Sequence, residues 1–146
     1  MGLEAAVEQG LKTAFRAYTD TLTPDAAVKY RCFFLDDESE SGARREELEY
    51  PYIAINASPS YPHGHKSVFH DVSVEVKWAT HDTADAKQAT LRSLYEACRA
   101  ILDAETGITI TGYSLMGVII NEGGDVAIED NVRSITLPIT VKVCGA

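Results

Sequence analysis

At 146 residues, the chain is long enough for one domain with its own core and no disulfide or metal staples, and 45% hydrophobic with 24% charged residues is ordinary globular composition. A formal charge of −9, from 22 acidic against 13 basic residues, argues against a protein that grips nucleic acid through its phosphates. The apolar runs are too short and interrupted for a bilayer-spanning helix.

The opening "MGLEAAVEQGLK" has acidic residues early and no basic start before an apolar stretch, so it does not read as a secretory signal. Ala6 stands where a myristoylation motif wants Ser or Thr. Leu3, Val7, Leu11, Ala14, Phe15 and Tyr18 recur at three- and four-residue spacing, which predicts an amphipathic helix. Gly10 weakens that helix by about 1 kcal/mol relative to alanine without ending it. Pro24 stops it, because proline cannot donate a backbone hydrogen bond and restrains the residue before it.

"AVKYRCFFL" follows, rich in β-branched and aromatic residues, and predicts a strand. Residues 36–49, "DDESESGARREELE", hold seven acids (Asp36, Asp37, Glu38, Glu40, Glu46, Glu47, Glu49) and two arginines, a local net charge of −5. With no sustained apolar period, this segment reads as an exposed, mobile loop. "YIAINAS", residues 52–58, reads as a short strand bounded by Pro51 and Pro59.

"DVSVEVKW" is the clearest strand: Val72, Val74, Val76 and Trp78 alternate with Ser73, Glu75 and Lys77, giving one buried and one wet face. "THDTAD" supplies a helix start, with Asp82 or Thr83 able to cap the free amides. The helix runs to about Asp103, with Leu91, Leu94, Tyr95, Cys98, Ile101 and Leu102 in one apolar stripe. After a break at Gly107, "ITITGYSLMGVIIN" predicts one or two strands, with bends or bulges at Gly112 and Gly117. "EGGD" reads as a hairpin turn into "VAIE". In "RSITLPITVKV", Ile135, Leu137, Ile139, Val141 and Val143 share a face. Pro138 lies opposite and cannot donate to a ladder, which predicts an edge strand or a bulge there. The order predicts a single α+β domain over residues 1–146: an antiparallel or mixed sheet packed by an N-terminal and a central helix.

Chemistry is sparse. Cys32, Cys98 and Cys144 are far apart, odd in number and without CxxC spacing, so they read as small buried hydrophobes. No phosphate-binding glycine loop, nucleophile elbow or HExxH motif occurs. The stretch "YPHGHKSVFHD" gathers His63, His65 and His70 within eight residues, the weak candidates for a metal. An extended backbone points His63 and His65 to one side, but they flank a glycine, and a metal needs three or four rigidly held ligands. His70 shares the parity of Val72. The alternative is an exposed hairpin-like loop whose histidines are solvated or pair with nearby acids, with Tyr61, His63, His65 and Lys66 as candidates for contact with another subunit.

The block "SVFHDVSVEVKWATHDTADAKQATLRSLYEACRAILD", with the N-terminal helix, the proline-flanked "YPYIAI" strand and the closing β-rich segment, resembles the tail terminator (tail completion) proteins of long-tailed bacteriophages and related particles. The resemblance is one of element order over most of the chain. It implies an α+β subunit of a homo-oligomeric ring, usually a hexamer, assembled in the host cytoplasm and carried in the virion at the head-proximal end of the tail tube. Such a ring ends tube polymerisation and offers a surface to connector or stopper proteins, while DNA passes without specific binding. The resemblance implies no catalytic residues and no cofactor. An acidic conduit wall suits passing DNA, since like charge opposes adhesion, and the 36–49 loop is a candidate for the lumen or an axial docking face. The alternatives are another connector or stopper, a tail tube subunit, a cytosolic metal-binding protein or metal-dependent enzyme using the histidines, and a host-side binding domain.

Overall fold

The computed structural model describes residues 2–19, 33–34, 52–58, 61–62, 68–81, 85–121, 123–129 and 132–145. Helix α1 (Leu3–Thr19) is followed by strands β1 (Phe33–Phe34), β2 (Tyr52–Ala57), β3 (Tyr61–Pro62) and β4 (Phe69–His81). Helix α2 (Asp85–Ala104) leads to β5 (Tyr113–Ile120), β6 (Asp125–Glu129) and β7 (Val132–Gly145). The sheet order is β1-β2-β4-β7-β5, with β3 on β4 and β6 on β7. All pairings are antiparallel except that of the two-residue β1 with β2. The fold is α+β, as the order of sequence periods predicts.

The β4–β7 ribbon is the spine. It is paired without a break from Phe69↔Cys144 to His81↔Val132. Val72, Val74, Val76 and Trp78 stand opposite Val141, Ile139, Leu137 and Ile135, so period-2 alternation in both strands places one apolar set on one face. All eight side chains are buried. The helices cover this face because their own apolar stripes have nowhere else to go: Leu3, Val7, Leu11 and Phe15 from α1, and Leu91, Leu94, Cys98 and Leu102 from α2, join the same core. Trp78 is the hub. Its ring meets Tyr95 edge-on at 5.0 Å and tilts against Phe15 at 6.2 Å, tying α2, β4 and α1 together.

Two long strands are flanked by broken ones. β2 and β3 lie end to end along β4, and β5 and β6 along β7. "EGGD" is therefore not a hairpin turn. β5 stops pairing at Ile120↔Ile139 and β6 resumes at Asp125↔Thr136, so residues 121–124 interrupt one edge instead of reversing it. Gly124 is needed there, because a Cβ would come within 2.7 Å of Ile135 and 2.8 Å of the Tyr95 hydroxyl. β6 pairs back onto β7 from Glu129↔Val132, and that is the hairpin.

Pro138 is corrected as well. Its strand is interior, flanked by β4 on one side and β5 and β6 on the other. Its carbonyl accepts from the Asn121 amide at 3.1 Å, so its nitrogen, on the same side of the strand, faces the interruption. The irregularity that proline demands falls in the partner strand. A further bulge between Leu115 and Gly117 in β5 agrees with the glycine signal. "ITI" forms no strand; Ile108 and Ile110 are buried in an extended connection that turns at Gly112, φ 84°, closed by Tyr113 N–H donating to the Ile110 carbonyl at 3.0 Å.

Gly10 has a steric reason. A Cβ at this position would lie 2.5 Å from the Thr109 carbonyl oxygen and 2.8 Å from Ile110 Cδ1. α1 lies against the segment after α2 at a distance that only glycine permits.

Candidate functional site

His70 lies in β4, paired with Pro62 on one side and Val143 on the other. Its ring is half-buried and meets Tyr113 edge-on at 6.3 Å, and Nδ1 is buried without a hydrogen-bond partner. Beside it Asp71 Oδ1 and Lys142 Nζ are 3.7 Å apart, with both side chains more than a third exposed. Phe69, His70, Asp71, Met116, Lys142 and Val143 line a shallow, largely apolar pocket of about 190 Å³. Tyr61 pairs with Asp71 through the backbone, so β3 and β4 flank the histidine segment as the two arms of a hairpin. His63, His65 and Lys66 lie outside the described residues, as do Asp36, Asp37, Glu38, Glu40, Glu46, Glu47 and Glu49. Among the described residues no three His, Cys, Asp or Glu side chains are grouped to hold a metal ion.

Cys98 is not activated. Burial pushes its thiol from 9.0 up to about 12, opposed weakly by the Trp78 indole N–H. That N–H makes no hydrogen bond of full geometry, and a thiol sulfur is a poor acceptor. A thiol held neutral is a core side chain and a poor nucleophile.

The long free edge is the other conspicuous feature. Among the described residues nothing pairs with the outer side of β5 or β6. Met116 (58% exposed), Ile119 (45%), Val126 (53%) and Ile128 (57%) stand out along it, large apolar side chains where a solitary edge ordinarily carries charge. Ile119 pairs with Thr140 and so points to the face away from the helices, whereas Val126 pairs with Ile135 and points to the helix face. The edge is apolar on both faces.

One outward amide is covered. Glu105 Oε1 accepts from the Val118 N–H at 2.8 Å. Glu105 ends α2 in the left-handed region, φ 55°, where glycine is usual. Thr106 N–H donates to the Ile101 carbonyl at 3.1 Å and Glu105 N–H to that of Leu102 at 3.3 Å, the paired bonds of a Schellman cap. The helix thus ends at Ala104, within a residue of the end near Asp103 that its apolar stripe predicts. The far side of the sheet repeats the device: Glu8 Oε2 on α1 accepts from the Ala57 N–H of β2 at 3.0 Å. Sequence reading missed both glutamates. The only signal was a glutamate where helix-end chemistry asks for glycine.

The described residues form an α+β domain whose sheet has one long apolar edge. No protein-family model matches the chain, and no curated protein matches it significantly.

Proposed function

We propose that this chain is a structural subunit that closes into a ring, of the kind the tail terminators of long-tailed phages form to cap the tail tube and present a joining surface to the head. The observation that carries the proposal is the β5–β6 edge, whose outer side no strand pairs with among the described residues and which exposes Met116, Ile119, Val126 and Ile128. A row of outward backbone donors and acceptors flanked by apolar side chains is the surface a neighbouring chain needs for strand addition. The acidic balance supports the reading second, since a conduit for DNA gains from walls that do not bind it. In this role the protein's partners are its own copies, about six to a ring, the tube protein on one face and a connector or stopper on the other. DNA passes through without specific contact.

The test is the mass of the native assembly together with electron microscopy of the protein added to growing tail tubes. Closed rings that arrest tube growth are the expected result. Open tubes of this chain alone would make it a tube subunit. A strict monomer that leaves tubes growing would sink the proposal.

A further inference from the structure

In a single copy of the chain the outer edge of β5 is held by Glu105. A glutamate at the left-handed end of a helix is strained relative to glycine, because its Cβ crowds the following carbonyl. The side chain placed there reaches over β5, where Oε1 takes the Val118 N–H at 2.8 Å and sits 3.5 Å from where a Cβ on Gly117 would lie. That amide faces away from β7, in the position from which a strand added to β5 would be recognised. The strained residue thus occupies a group that strand addition needs.

We propose that the outer edge of β5 is where a second copy of this chain adds a strand, and that Glu105 is a latch on the Val118 amide which the incoming strand must displace. This rests on the reading of the protein as a ring subunit. Two observations favour a second copy as the occupant. On the other flank of the same sheet β2 runs past its two-residue partner β1, and there Glu8 takes the outward Ala57 amide, so each copy carries a glutamate on an outward amide at both sides of one sheet. A head-to-tail ring joins one such edge to the other and uses both in every subunit. The apolar side chains on both faces of β5 and β6 would flank the added strand above and below.

Displacement costs the hydrogen bond from Val118 to a carboxylate and returns a backbone bond, so the latch sets the concentration at which copies associate and leaves the ring's form unaltered. It guards the monomer against premature pairing, as charges on sheet edges do in general.

The test is sedimentation velocity of the full chain over a range of concentration. Glu105→Gly frees the amide and suits the helix end, and it should lower the concentration for half-assembly about tenfold, the worth of one charge-assisted hydrogen bond. Glu105→Gln keeps an acceptor oxygen without the charge and should fall between Glu105→Gly and wild type. Ile119→Lys, at an exposed position, should keep the chain monomeric even in the Glu105→Gly background while its melting is unchanged. Glu105→Gly that associates no more readily than wild type overturns the latch, and closed rings from wild type in that case leave the ring reading intact. Assembly of Glu105→Gly that stops at two copies upholds the latch and overturns the ring. Assembly of the double variant Glu105→Gly/Ile119→Lys overturns this edge as the contact.

Discussion

The Asn121 amide donates to the Pro138 carbonyl at 3.1 Å, and the bond back, from residue 138 to Asn121, is the one proline cannot make. In an antiparallel ladder two such residues exchange both bonds. β5 therefore leaves the ladder here, and a proline stands in an interior strand without orphaning a partner. Asn121 fills part of the gap with its side chain, which donates to Thr140 Oγ1 at 3.0 Å. Proline is tolerated at this position because of where its nitrogen points. Pro138→Thr should change stability by under about 1 kcal/mol, whereas Thr140→Pro, opposite Ile119 in the same ladder, should cost about 1–3 kcal/mol for the lost bond and the unpaired acceptor. Urea unfolding of the two variants measures the contrast.

Helix propensity alone predicts that Gly10→Ala stabilises α1 by about 1 kcal/mol. The packing predicts the opposite. The new methyl would meet a backbone oxygen, Thr109 O, at 2.5 Å, and backbone cannot rotate away as a side chain can. Thermal or urea unfolding should show a net loss of about 1–3 kcal/mol, the usual range for overpacking. A gain in stability would mean that α1 and the 108–110 segment are not in contact.

Cys98 provides a pH signature. Its thiol titrates near 12 in the folded chain against 9.0 ordinarily, so as pH rises the unfolded chain releases its proton first. The stabilisation is therefore complete below pH 9 and is lost as pH climbs toward 12, at about 1.4 kcal/mol per unit. The difference in unfolding free energy between wild type and Cys98→Ala should narrow steadily above pH 9. At pH 8 a thiol reagent should leave Cys98 unmodified until the protein is unfolded.

The histidine segment yields a test of the metal alternative. His70 is tied into β4 between two partner strands, and no cluster of ligands surrounds it among the described residues. Purified protein should hold no stoichiometric metal, and a chelator should not shift its melting temperature. A metal lost in the His63→Ala/His65→Ala variant would restore the metal-binding reading and displace the ring.

Much of the fold was legible because the periods are clean. Val72 to Trp78 and Ile135 to Val143 alternate without exception, and the two helices carry single stripes, so burial of each face follows from spacing alone. The errors share a cause. Pro138 was assigned to an edge or a bulge and "EGGD" to a hairpin, because each signal reports what one residue permits locally and not which strand lies beside it. The two meet at one place: Pro138 and the break between β5 and β6 face each other across the same gap in the sheet. The two edge glutamates were invisible for a similar reason. Glu8 and Ala57 are 49 residues apart, and Glu105 and Val118 are 13 apart, and no local pattern pairs them.

Burial along Val72–Trp78, Ile135–Val143 and the two helix stripes is readable from spacing, since it follows from the apolar period of each element and needs no knowledge of its neighbours. Which strands are interior, why Gly10 and Gly124 admit no side chain, and where the described sheet stays open are settled only when the chain folds. Those are properties of pairs of segments brought together by folding, and the hydrogen-bond direction at Pro138 or Val118 has no meaning until the partner strand is in place.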